Sequence, residues 1–447
     1  MDTSIDPRSG FCSKTKTYKS LRPPVPLLPE TLPLSAAAHS LLLLRSNPSP
    51  LETTTILIDV DTGNRLSAAQ FLRHVESLAA SLQSNLNLSK EDAAFILLPP
   101  SIEVPILYFS LLSLGVVISP ANPINTKSEI SHQIQLCNPS VAFATTMTAG
   151  KLPSSDSLRR GIVLLDSPAF QSMMTTSSTG RLDLTRVRVS QSDPAAILYS
   201  SGTTGRVKGA ILTHRNLIAL IAGYYDRKPK PEEENPPPPE VSLMNLPLFH
   251  VFGFFMCLRA VALGETVVLM KRFDFEVMLK AIETYKVTYM PVSPPLVVAM
   301  AKSDLVAKYD LSSLRLLGCG GAPLGKEVAE RFVARFPNVE IVQGYGLTET
   351  TGTAARSMGP DEAKQYGSVG HLAENVEAKI VDPKTGEAMP PGHQGELWLR
   401  GPIIMRGYAK DDEATANTLE PDGWLKTGDL CYFDSDGFLY IVDRLKE

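Results

Sequence analysis

The decapeptide SSGTTGRVKG at residues 200–209 gathers three glycines, four hydroxyl side chains and two cations. Gly202 and Gly205 permit tight turns whose amide N–H groups face one centre, a nest that favours anions. Ser200, Ser201, Thr203 and Thr204 add hydroxyl donors, and Lys208 adds a point charge. The Walker A pattern is not met, because Lys208 follows Gly205 by three and precedes Gly209 instead of a hydroxyl residue. The competing reading is a polar turn between a strand and a helix.

Four further stretches carry chemistry-bearing residues. In QGYGLTET (343–350), Tyr345 between two glycines could lie against a flat ring. Thr348 and Glu349 beside it are a hydroxyl and a carboxylate, which suit a phosphate–Mg²⁺ unit. GCGGAP (318–323) lets backbone approach a planar ligand, or simply makes a tight turn. In WLKTGDL (424–430) and VDRLKE (442–447), Asp429 could accept from ribose hydroxyls and Arg444 could reach a sugar or phosphate. PLFHVFGFF (247–255) sets His250 in an aromatic run, read either as a core histidine or as a shaped loop beside an apolar pocket.

Elements that could position these residues alternate along the chain. TILIDV (55–60), VAFATT, GIVLLD, AAILYS (195–200), VSLMNLPLFH, ETVVLM and VTYM read as strands. Helices are expected over 67–83, from a Thr213 cap through THRNLIALIAGYY, over the stripe Phe275, Met278, Leu279, Ile282, and over APLGKEVAERFVARFPN with Pro323 in its first turn. The apolar stretch 104–118 is short for a membrane span and reads as a buried helix running into a strand. Alternation of this kind predicts an α/β fold with largely parallel sheets covered by helices. Past residue 355, short alternating strands between Gly/Pro turns predict a small barrel or antiparallel sheet. The first 30 residues read as a loosely tethered leader, and PKPEEENPPPPE (229–240) as a solvated loop.

The 447 residues carry a net charge of −4, which gives no electrostatic case for nucleic acid or an anionic membrane. Five dispersed cysteines without a C-x-x-C argue against a disulfide framework or zinc site and for a reducing compartment.

Taken together, SSGTTGRVKGAILTHRN, QGYGLTET, GELWLRG and GWLKTGD closely resemble the adenylate-forming (AMP-binding) superfamily, and within it plant 4-coumarate–CoA ligases and their ligase-like relatives. The resemblance runs from about residue 30 to the end. It implies the large N-terminal domain of that fold: two α/β subdomains over 31–354, a small β-barrel-like subdomain over 355–441, and a hinge at 442–447. It also implies an acid–CoA ligase using ATP, Mg²⁺ and coenzyme A, through an acyl-adenylate, with release of AMP and pyrophosphate. By the same resemblance Ser200–Gly205 and Lys208 grip the β- and γ-phosphates. Gly321, Gln343, Gly344 and Tyr345 frame the adenine. Thr348 meets the α-phosphate, Glu349 holds Mg²⁺, and Asp429 and Arg444 bind ribose. Lys446 contacts AMP, Arg272 lies near the coenzyme A nucleotide, and His250 stands at the carboxylate end of an acyl pocket. Phe252, Phe254, Val292, Ser293, Gly318 and Gly344 would line that pocket.

Two departures bear on the substrate. GELWLRG replaces the cysteine-containing GEICIRG of true 4-coumarate ligases, and HVF replaces HIY, so Phe252 lacks a hydroxyl. A pocket without that hydroxyl discriminates weakly for a phenol. The expected acid is therefore fatty, cinnamic-type or a jasmonate precursor. The family's C-terminal lid is not in this sequence, so a fragment of low turnover is expected. A monomer, cytoplasmic or peroxisomal, completes the expectation. An adenylating enzyme with another acceptor, or a non-catalytic nucleotide or acyl sensor, are the alternatives.

Overall fold

Short β-branched runs separated by amphipathic stretches need two partners, a neighbouring strand and a covering helix. The computed structural model supplies both; it describes residues 4–153, 158–175, 187–200, 207–228 and 240–445. The chain divides into two units, Leu28–Met278 with Tyr408–Lys410, and Met1–Leu27 with Leu279–Gly407 and Asp411–Glu447.

In the first unit, strands Ala93–Leu97, Val117–Pro120, Val141–Ala144, Ile162–Leu164 and Pro194–Ser200 form a parallel sheet. Lys208–Thr213 pairs antiparallel with Pro194–Ser200. Ser200 and Lys208 therefore lie on two paired strands, and the expected helix begins at His214 with Thr213 as its cap. In the Lys208–Thr213 strand the apolar run Ala210, Ile211 and Leu212 lies opposite Leu198, Ile197 and Ala196. A second sheet of the unit pairs Val241–Met244, Thr266–Leu269 and Thr55–Asp59 in parallel, with Arg65–Ser67 antiparallel.

Helix starts follow local chemistry. Ser67 with Gln70, Thr126 with Glu129, and Thr213 with Asn216 each close a capping box. The apolar run after residue 103 becomes the helix Glu103–Ser113, buried on every side from Val104 onward. Its buried Ser110 and Ser113 hydroxyls donate to Ile106 O and Phe109 O, each at 2.7 Å. No helix among the described residues is long and apolar enough to cross a membrane.

The second unit holds the parallel strands Tyr289–Val292, Leu316–Cys319 and Glu340–Tyr345, extended by the antiparallel pairs Ala355–Arg356 and His371–Leu372. Its other sheet is antiparallel and open, in the order Phe11–Cys12, Thr17–Lys19, Glu377–Val381, Gly395–Arg400, Leu425–Phe433, Leu439–Arg444. No barrel closure is needed.

Three expectations are corrected. The first 27 residues are not a loose leader where described. Tyr18 is fully buried and stacks on Phe433 at 4.2 Å, and Glu377 pairs with Lys19 across the sheet. Pro323 stands outside the helix Lys326–Arg335, because buried Leu324 and extended Gly325 precede its first turn. The stretch around His250 is the start of the helix Val251–Leu263, with His250 as its cap. The acidic, proline-rich loop lies, from 229 to 239, outside the described residues.

One buried ion pair ties these strands together. Arg356, opposite Gly344 in the sheet, donates from Nη2 to both Glu374 oxygens at 2.9 and 2.8 Å. Removing one partner of such a pair strands the other. Glu374→Ala should lower the unfolding free energy by about 3–5 kcal/mol in urea denaturation. A loss below about 1 kcal/mol would show that the pair does not hold this corner of the fold.

Candidate active site

The second unit assembles one cluster from three strands. Leu425–Phe433 and Leu439–Arg444 pair so that Asp429 and Arg444 are direct partners. Arg444 Nε lies 3.2 Å from Asp429 Oδ1. Tyr345, the last residue of Glu340–Tyr345, donates its hydroxyl to Asp429 Oδ2 at 2.5 Å. Asp429 is 3% exposed, so this carboxylate is held almost without solvent.

The turn that follows Tyr345 is fixed by backbone. A Cβ on Gly346 would sit 1.5 Å from Gly352 O, which excludes any other residue there. Thr348–Thr350 then forms a single helical turn, clamped by Leu347 N to Thr350 Oγ1 at 2.8 Å and Met405 N to Glu349 O at 2.9 Å. Thr348 is buried, and Glu349 is close enough to repel the Asp429 charge. The structure thus brings Tyr345, Glu349, Asp429 and Arg444 together. Gln343 and Gly344 lie on the same strand as Tyr345. Gly321 has φ +83° and faces open space, so its backbone is accessible.

Burial is the main cause of a raised Asp429 pKa, and Glu349 adds repulsion, while Tyr345 and Arg444 pull it down. Burial also raises Tyr345 well above the ordinary tyrosine value, so it remains a donor.

Among the proposed pocket residues, Val292 and Phe254 present no surface. Phe254 instead packs on Tyr108 at 5.4 Å, because its helix is embedded along almost its whole length. Phe252, Ser293 and Gly318 keep partial exposure. Gly318 is crossed by the Tyr289 ring, whose Oη would lie 2.5 Å from an added Cβ.

In the first unit, His250 Nδ1 accepts from Phe252 N at 3.3 Å, and desolvation lowers its pKa although its edge stays open to solvent. Arg272 is exposed, just past the strand Thr266–Leu269. Ser200 ends its strand with a buried hydroxyl that has no hydrogen-bond partner among the described residues. Lys208 begins the next strand, its Nζ 5.0 Å from the centre of the Tyr408 ring. Ser201, Gly202, Thr203, Thr204, Gly205 and Lys446 lie outside the described residues. Sequence reasoning missed Tyr408, and also Glu396, whose Oε1 accepts from Gly428 N at 3.0 Å beside Asp429. Both are contacts between distant segments, and no local pattern announces them.

The raised Asp429 pKa has a stability consequence. A folded-state value above the unfolded one favours folding at low pH, and that contribution is lost as pH rises through the folded value. The stability of the wild type relative to Asp429→Asn should therefore fall as pH rises above the ordinary aspartate value of about 4, measured by thermal unfolding of both. A relative stability that rises over this range would reverse the assignment.

Residues 47–409 match the AMP-binding enzyme family. The chain is 56% identical over 450 residues to 4-coumarate–CoA ligase-like 9 of Arabidopsis thaliana, covering 99% of this chain and 79% of that protein. It is 40% identical over 461 residues to peroxisomal OPC-8:0-CoA ligase 1 of the same plant, covering 99% and 81%. Among solved structures, a luciferase-like enzyme from the nonluminescent Zophobas morio mealworm superposes with TM-score 0.81 at 23% identity, over 95% of this chain and 98% of that one. ATP-bound MatB from Rhodopseudomonas palustris gives TM-score 0.79 at 23% identity, over 92% and 79%. At those identities the structures speak for the fold, while the family match spans most of the sequence. With the Tyr345–Asp429–Arg444 cluster set in this architecture, the chain belongs to the AMP-binding enzyme family.

Proposed function

We propose that this protein is an ATP-dependent carboxylic acid–CoA ligase acting on an apolar acid of the cinnamic, fatty or jasmonate-precursor class. The observation that carries the reading is the buried Asp429 carboxylate, tied to Tyr345 and Arg444 with Glu349 alongside, in a chain of the AMP-binding family. CoA ligase-like relatives over nearly the whole chain support the acceptor.

The chemistry asks for positioning and charge neutralisation more than for a protein nucleophile. A substrate carboxylate oxygen attacks the α-phosphorus of ATP, the bond to the pyrophosphate leaving group breaks, and an acyl-adenylate forms. The coenzyme A thiolate then attacks the acyl carbon and AMP departs. In this reading Asp429 and Arg444 hold the ribose, and Gly321, Gln343, Gly344 and Tyr345 frame the adenine. Thr348 meets the α-phosphate, and Ser200 and Lys208 take the terminal phosphates. Glu349 is the carboxylate suited to Mg²⁺, which neutralises phosphate charge when bound. Arg272 is assigned to the coenzyme A nucleotide.

His250 has a defined part. Its Nδ1 accepts from Phe252 N, so the neutral ring carries its proton on Nε2. A lowered pKa keeps it neutral at pH 7. Such a ring offers a hydrogen bond to a substrate carboxylate that is already ionised, and no general base is required. Phe252, without a hydroxyl, favours an apolar acyl group.

The test is acid-dependent loss of coenzyme A thiol together with AMP release. Lys208→Ala and Glu349→Gln should each lower kcat by about 10²-fold. His250→Ala should reduce kcat/KM for the acid by about tenfold and leave KM for ATP unchanged. AMP release that ignores coenzyme A would reassign the acceptor. Absence of acid-dependent AMP release across cinnamic and long-chain acids would overturn the reading.

A further inference from the structure

Lys208 is braced by segments far away in sequence, and one of them, the strap at Tyr408, sets an aromatic ring against its ammonium. On its N-terminal flank, the Val207 carbonyl lies 3.0 Å from His132 Nε2 on the helix Lys127–Cys137. On its C-terminal flank, Gly209 O accepts from Ala409 N at 2.8 Å. Gly209 suits this close pairing, since a Cβ there would lie 2.8 Å from an Ile197 methyl and force it to shift. Lys410 anchors the same strap by donating Nζ to Gln135 O at 2.7 Å. Between these two anchors Tyr408, 8% exposed, turns its ring under Lys208 Nζ at 5.0 Å to the centroid. A ring within about 6 Å of an ammonium attracts it through its quadrupole.

We propose that Tyr408 is a positioning residue for Lys208: its ring holds the ammonium in the phosphate-binding direction before nucleotide arrives. Lysine is a flexible chain with a point charge, and confining it is a cost that binding otherwise meets. The ring engages one side of the ammonium and leaves N–H donors for phosphate oxygens. The strap Tyr408–Lys410 fixes the ring, the Val207 and Gly209 contacts fix the backbone, and the lysine is thereby pre-organised.

This inference rests on the reading of Lys208 as a ligand of the terminal phosphates, and a double-mutant cycle separates the two. Affinities for Mg·ATP and for AMP are measured by calorimetry on wild type, Tyr408→Leu, Tyr408→Phe, Lys208→Ala and the Lys208→Ala/Tyr408→Leu double variant. Tyr408→Leu should weaken Mg·ATP binding by about two- to fivefold, the range of an exposed cation–π contact. AMP, which lacks the terminal phosphates, should bind unchanged and so report intact folding. Tyr408→Phe keeps the ring and should match wild type. In the Lys208→Ala background the leucine substitution should have no further effect. An equal loss in both backgrounds, or an equal loss for AMP, overturns the proposal while the phosphate role of Lys208 stands. If Lys208→Ala itself leaves Mg·ATP affinity intact, the underlying reading fails, and the proposal with it.

Discussion

A carboxylate almost without solvent is costly unless its charge is answered, and the Asp429 site is organised around that constraint. Arg444 answers it through strand register, since the two residues are opposed in one antiparallel pair. Tyr345 answers it from the end of a parallel strand belonging to another sheet of the same unit. Because burial is the dominant influence on Asp429, these two partners only partly restore the ionised form. Moving either strand end would leave a buried charge unpaired, so the cluster constrains the fold as much as the fold constrains the cluster.

Supporting contacts surround that cluster. Arg356 and Glu374 lock the strand beside Gly344, and Glu396 holds the Gly428 amide at the turn before Asp429. Gly346 is packed against Gly352 O so closely that the turn carrying Thr348 and Glu349 has one admissible course. In the other unit the same logic applies to a cation: the backbone on either side of Lys208 is pinned and a ring lies beneath its ammonium. Both cases use fixed surroundings to hold a charged group ready, which is how electrostatic pre-organisation works.

Much of this was legible in the sequence, for reasons particular residues make plain. Ser67, Thr126 and Thr213 announce their helices because a capping box is local chemistry. Tyr345, Glu349 and Asp429 could be nominated because glycine turns and polar side chains concentrate around them. What could not be read were contacts across long separations: Tyr408 under Lys208, Tyr18 on Phe433, and Glu374 with Arg356. The polar N-terminal stretch looked loose because its one deeply buried ring, Tyr18, has no local pattern to betray it. Phe254 reads from the sequence as a pocket residue because it is aromatic and near His250, but the helix beginning at Val251 turns it into the core.

The proposed function turns on one step, the transfer of AMP to a carboxylic acid. Isotope exchange between radiolabelled pyrophosphate and ATP reports that step alone, without requiring the thiol acceptor. The account predicts exchange that appears only when a suitable apolar acid is added and that is lost in Asp429→Ala. Exchange that is absent with every aromatic and long-chain acid tried, or that proceeds equally without acid, would contradict it.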